Sequence, residues 1–312
     1  MAGAEVGDDG FGDDPTVRRL ETAFAERVGK ERALFVPSGT MANQVALRVL
    51  GSPGTSVLAG RRQHMVVREG AAAGTNGSAQ VVTFEDADGT LDPAELQRWV
   101  DDARAGWSAP SAIFLEDTHG EVGGRVWPME RLEAVAAIGL PVHLDGARLW
   151  NAAVASGTTV AERAAHSTTV TCCLSKGLGA PVGSLLAGPA DLVALARVER
   201  KRLGGGMRQV GILAAAGLVA LDRVDRLADD HRRARRLAQA AAERWPGSVD
   251  VALVQTNIVL IQVPDPAALE AHLLSADVLV VSGSATTVRL VTHADVDDAD
   301  VERAVAALGS AP

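Results

Sequence analysis

The chain is short of thiols, of lysine and of long apolar runs, and each shortage narrows what it can be. Its two cysteines, Cys172 and Cys173, are sequence neighbours that cannot close an ordinary disulfide with each other on an extended chain, so a disulfide-stapled scaffold is excluded and a reducing cytoplasm is expected. Apolar runs such as residues 210–221 stay below the roughly 18–20 residues that span a bilayer. No basic segment followed by an apolar stretch opens the sequence, so neither export nor a membrane partner is expected. Positive charge is short as well: 30 Lys and Arg against 39 Asp and Glu leave a formal charge of −9, a field that repels polyanions and argues against a nucleic-acid partner. Neither a Walker A loop nor a G-x-G-x-x-G fingerprint occurs, which disfavours nucleotide and dinucleotide binding.

What remains is a globular composition, 47% hydrophobic and 22% charged over 312 residues, enough for about two domains. Residues 1–15, rich in Gly, Ala and Asp, read as an arm. From Thr16 the spacing of Val17, Leu20, Phe24 and Val28 predicts a helix ended by Gly29. Short apolar runs follow at 33–36, 56–58, 81–84, 112–115, 141–144, 168–174 and 184–187, with helical stretches at 41–50, 93–103, 129–137 and 161–165 among them. That alternation predicts an α/β layer around a largely parallel sheet. Residues 210–245 read as helical throughout. Beyond them, strands expected at 249–254, 257–263, 278–282 and 287–292 alternate with helices at 266–275 and 298–307, a smaller α+β domain. The expected division is an arm to residue 15, a large domain over 16–220 and a small one over 221–312.

Three segments can carry chemistry. Of the three lysines, Lys30, Lys176 and Lys201, only Lys176 follows a β-rich run (TVTCCLSKGLG) at the point where open α/β sheets place ligands, and a lysine partly desolvated there can form a Schiff base. A surface lysine at a strand end would look the same. In LPVHLDGAR, Asp145 ends a strand, and its two-residue period puts His143 on the same face as a hydrogen-bond partner; an ordinary capping Asp is the plainer alternative. In VPSGTMAN, Ser38, Gly39 and Thr40 open a helix whose N–H groups and hydroxyls could cup a phosphate or merely cap the helix. A phosphate for the cup, an aldehyde for Lys176 and a pyridine nitrogen kept protonated by Asp145 together describe pyridoxal 5′-phosphate.

The blocks GFGDDPTVRRLE, ALFVPSGTMANQVAL, LEDTHG, HLDGARLWNA, CLSKGLGAPVGS, KRLGGGMRQVGILAAAGL and VRLVTH occur in an order that resembles the L-threonine aldolases, a fold type I (aspartate-aminotransferase-like) group, from about Val6 to His293. The resemblance implies a large domain with a mostly parallel seven-stranded sheet flanked by helices, a smaller C-terminal α+β domain, and pyridoxal 5′-phosphate as cofactor. It implies Lys176 as the Schiff-base lysine, Asp145 as the pyridinium partner, His64 stacked over the ring, and Ser38, Gly39 and Thr40 as the phosphate cup. Arg148 would lie near the cofactor's phenolic oxygen and, with Arg289, hold the substrate carboxylate; His119 would sit near the β-hydroxyl. Lys201 and Arg208 match basic positions near the site or serve the Gly204–Gly206 turn. His166, His231, His272, His293 and Lys30 are left without chemistry, and no metal site is assigned.

The implied reaction is retro-aldol cleavage of L-threonine, L-allo-threonine or related β-hydroxy-α-amino acids to glycine and an aldehyde, by a homo-oligomer, dimer or tetramer, with active sites at subunit interfaces. Another lyase reaction on the same scaffold, β-elimination or serine hydroxymethyl-type, and an inactive cofactor-binding homologue are the alternatives. Three departures from the family pattern stand out. A Ser-Asp-Thr block ahead of VGDDGFGDDP is missing, so Arg148 and Arg289 would hold the carboxylate without it. Phe11 stands where a tyrosine is usual, and Arg68 replaces an aromatic between His64 and Glu69.

Overall fold

A computed structural model describes residues 1–311. Strands β1 (Arg32–Val36), β2 (Ser56–Gly60), β3 (Gln80–Phe84), β4 (Pro110–Glu116), β5 (Val142–Asp145), β6 (Thr169–Cys173) and β7 (Ser184–Gly188) form one sheet in the order β1-β7-β6-β5-β4-β2-β3. Every pair from β3 across to β6 is parallel, and β7 runs antiparallel to both its neighbours. This is the mostly parallel seven-stranded sheet that the sequence implies.

Strands β2, β5, β6 and β7 are buried along their whole length, as expected where helices cover both faces of a sheet. Their side chains divide by the two-residue period: Leu34, Val36, Val57, Ala59, Ala112 and Phe114 join one apolar cluster, while Ala33, Phe35, Leu58, Ile113 and Leu115 join the other. Helix ends follow local chemistry. Asp14 accepts the N–H groups of Thr16 and Val17 at the head of the Pro15–Val28 helix, and Gly29, at φ 65°, closes it in a left-handed conformation.

A second, antiparallel sheet holds β8 (Ile258–Gln262), β9 (Val281–Ser284) and β10 (Thr287–Val291) in the order β8-β10-β9. It shares a third apolar cluster with the Pro266–Ser275 and Asp298–Ser310 helices. The Leu227–Arg244 helix touches both cores: Leu227 packs with the large sheet, and Ala234 to Ala241 pack with the small one.

The structure corrects two expected elements and adds one long helix besides shorter ones such as His64–Val67 and Ala72–Asn76. Residues 210–245 are two helices, Gly211–Leu221 and Leu227–Arg244, because the chain turns at Asp222, where Arg27 from the first helix binds the Leu221 carbonyl and the Asp222 carboxylate. Residues 249–254 hold a 3-10 turn, Val251–Leu253, instead of a strand; the Asp250 carboxylate accepts the Ala252 N–H and competes with extended pairing. The added helix, Ala190–Arg202, escaped the periodicity because charged residues crowd its narrow buried stripe of Val193, Ala196 and Arg200. No helix among the described residues is long and apolar enough to cross a membrane.

Candidate active site

Three parallel strands deliver their C-terminal ends to one place. Glu116 ends β4 and stands in register with Asp145, which ends β5, while Lys176 lies three residues beyond β6. They open on a cleft of about 290 Å³. The cleft brings together His64, Asp145, Arg148, Lys176 and Arg289 from the sequence reading, and adds Arg68, Glu116 and Glu121.

Asp145 is held by two donors, the Ala147 N–H at 3.0 Å and the Asn43 side-chain amide at 2.7 Å. The other proton of that amide goes to Glu69, at 2.8 Å, so one NH₂ group joins two buried carboxylates. This orientation turns the Asn43 oxygen toward His143 Nε2, 3.2 Å away, while His143 Nδ1 meets the Thr169 hydroxyl at 2.9 Å. Burial lowers the His143 pKa to about 4, so the ring is neutral, with Nε2–H donating to Asn43 and Nδ1 accepting from Thr169. The expected His143–Asp145 contact is therefore indirect. Both residues do face the same way from β5, but Asn43 of the Gly39–Leu50 helix stands between them.

Glu69 also accepts from Gln44 at 2.6 Å and meets His64 Nδ1 at 2.9 Å. That bond holds the His64 imidazole above its usual range although burial opposes the charge. His64 is thus tied by one nitrogen to the carboxylate that shares Asn43 with Asp145. Glu116 accepts the His64 and Gly120 backbone N–H groups at 2.6 and 2.8 Å, and burial pushes its carboxyl up.

Arg148 and Arg289 both carry an Nε that is buried without a partner. Burial first, and then their mutual repulsion, lower the Arg148 pKa to about 10. Two recessed guanidinium groups facing one cleft form a receptor for an anion.

The other expected residues lie outside this lining. His119 is buried, with Nε2 3.0 Å from Asp86 and Nδ1 unpartnered; its neighbours Thr118 and Gly120 reach the cleft. Ser38 caps the Gly39–Leu50 helix through the Met41 N–H at 3.1 Å. Gly39 and Thr40 begin the turn that ends at Asn43, so the cup stands about 5 Å along the helix from the residue that binds Asp145. A Cβ on Gly39 would lie 2.8 Å from Cys173 Sγ, which shows how closely this helix start approaches the end of β6. Lys201 and Arg208 line a separate pocket of about 370 Å³ with Asp9, Phe11 and Arg197.

Asn43, Gln44 and Glu116 carried no assigned role in the sequence reading. The first two had a detectable signal: amides at positions that bury with the apolar residues of an otherwise nonpolar helix. Glu116 had none, since only strand register sets it beside Asp145.

Residues 1–265 match the model of the family described as β-eliminating lyase. Low-specificity L-threonine aldolase 1 of Arabidopsis thaliana is 39% identical to the chain, covering 96% of it and 88% of the relative. The low specificity L-threonine aldolase of Escherichia coli K12 is 41% identical over 95% of the chain and 89% of its own length. Among solved structures, a putative L-allo-threonine aldolase from Listeria monocytogenes superposes with a TM-score of 0.81 at 23% identity, over 99% of this chain and 89% of that one. The chain belongs to the threonine aldolases of the β-eliminating lyase family. The family's cofactor is pyridoxal 5′-phosphate.

Proposed function

We propose that the protein cleaves L-threonine, L-allo-threonine and related β-hydroxy-α-amino acids to glycine and an aldehyde. The observation that carries this reading is the cleft itself, where an amine (Lys176), a doubly held carboxylate (Asp145) and two guanidinium groups with unpartnered nitrogens (Arg148, Arg289) face the same space. The relatives named for this activity across nearly the whole chain support it.

The donor set fits the cofactor. Lys176 would hold its aldehyde carbon, Asp145 its ring nitrogen, and Ser38, Gly39 and Thr40 its phosphate, at a helix start that favours anions. When bound, pyridoxal 5′-phosphate supplies the electron sink for breaking the Cα–Cβ bond. The chain's own residues do the rest. Asn43 and Ala147 fix the Asp145 carboxylate. Arg148 and Arg289 grip the substrate carboxylate and so choose which bond at Cα is aligned for cleavage. His64, anchored on Glu69, covers the ring site. His119 lies outside the cleft lining, so it would accept the β-hydroxyl proton through a water held at its unpartnered Nδ1, with Nε2 fixed by Asp86. We assign the working form to a cytoplasmic homo-oligomer, a dimer or tetramer with interface active sites. In support, Phe11, Leu195, Val198 and Val219 are exposed, and Phe11 adjoins Lys201 and Arg208.

Product analysis tests the reaction. The holoenzyme incubated with L-threonine should release acetaldehyde and glycine in equal amounts. Ammonia and 2-oxobutanoate would instead identify a β-eliminating enzyme, and bound cofactor with no product an inactive homologue.

A further inference from the structure

The departure at position 68 has a structural counterpart in the cleft. Arg68 closes the short His64–Val67 helix and sends Nε and Nη2 to the two oxygens of Glu121, each at 2.7 Å. Glu121 sits on the Gly120–Val122 turn, and Arg289 comes from β10 of the small sheet. All three line the cleft, so one anion shares it with two cations. The Arg68 fork occupies both Glu121 oxygens, whereas the Arg289 side chain forms no hydrogen bond or ion pair among the described residues and its Nε is buried unpartnered. Burial opposes the charge on Glu121, yet the Arg68 bond and then the field of Arg68 and Arg289 hold its carboxyl below the usual range. Arg289 therefore feels Glu121 without being bonded to it.

We infer that Arg68 is a positioning residue that keeps Glu121 engaged, leaving the Arg289 guanidinium free for the substrate carboxylate. A guanidinium offers one planar edge to a bidentate carboxylate, so an unengaged Glu121 would compete with substrate for Arg289. This inference rests on the proposed role of Arg289 as a carboxylate holder. It separates Arg68 from a direct contact: the damage done by losing Arg68 comes from Glu121, so removing the Glu121 charge repairs it.

The test uses holoenzyme, with calorimetric titration of glycine, which carries the same carboxylate, alongside kcat and KM for L-threonine. Because Arg68 and Glu121 are partly exposed, the variants should keep the fold, which circular dichroism checks. Arg68→Ala should weaken glycine binding and raise KM by about tenfold, the scale of one charge-assisted hydrogen bond, with kcat little changed. Glu121→Gln should bind glycine at least as tightly as wild type. The double variant R68A/E121Q should return to within about twofold of wild type, a coupling that contact residues with independent roles do not show. Wild-type binding in R68A overturns the inference, as does a double variant as weak as R68A, which would place Arg68 directly on the substrate. Arg289→Ala reports separately on the underlying reading: unchanged glycine binding there rejects Arg289 as a carboxylate holder and the inference with it, whereas weakened binding in R289A without rescue in R68A/E121Q rejects the inference alone.

Discussion

Asn43→Ala removes the single amide that joins the two carboxylates behind the cleft. Three hydrogen bonds disappear: to Asp145 at 2.7 Å, to Glu69 at 2.8 Å, and from His143 at 3.2 Å. Each partner keeps another hydrogen bond, from Ala147 to Asp145, from Gln44 and His64 to Glu69, and from Thr169 to His143, but the His143 Nε2–H and one Asp145 oxygen lose theirs. The two bonds to the carboxylates contribute about 1.5–3 kcal/mol each, so the expected loss of stability is about 3–6 kcal/mol. Urea unfolding of the apoprotein at fixed concentration measures it. With one of its two donors gone, Asp145 should also hold the cofactor less firmly, and the dissociation constant of pyridoxal 5′-phosphate should rise about tenfold, or about 1.4 kcal/mol. A stability loss below about 1 kcal/mol with wild-type cofactor affinity would refute the idea that this amide organises the site.

Two further outcomes follow from buried charge. Arg163 and Asp117 are fully buried and bonded at 2.6 and 2.8 Å, and Arg163 also donates to the Trp127 carbonyl. Arg163→Met strands the Asp117 carboxyl and should cost about 3–5 kcal/mol, read as a lower urea midpoint, whereas Arg232→Met at an exposed, solvent-screened pair should leave the midpoint almost unchanged. His143 gives a pH signature: its folded pKa is about 4 against 6.5, so its stabilising effect is complete above pH 6.5 and declines as pH falls toward 4. Between pH 7 and 5 that group alone accounts for about 2 kcal/mol, and His143→Gln should lose correspondingly less stability over that interval.

The large sheet was legible because its strands carry strong local signals: continuous apolar runs separated by amphipathic helices, two of them with Asp-Pro starts and the first closed by Gly29. The failures lie where tertiary contacts override local pattern. The segment 210–245 has helical composition throughout, but Arg27, nearly two hundred residues earlier in the chain, helps end its first helix. Lys176 and Asp145 could be identified singly because each ends an apolar run. His143 could be placed on the right face of β5, but periodicity within one strand does not reveal that an amide from another helix comes between it and Asp145. The Arg68–Glu121 pair joins residues 53 apart in sequence, and only the fold shows that the unusual arginine faces an acid beside Arg289.

The central claim, that Lys176 at the exit of β6 holds the cofactor, is open to one direct measurement because the chain contains three lysines. Holoenzyme reduced with borohydride, digested and mapped by mass spectrometry should carry the phosphopyridoxyl group on Lys176. A label on Lys30 or Lys201, or an unlabelled Lys176 in protein that releases acetaldehyde from L-threonine, would contradict the account.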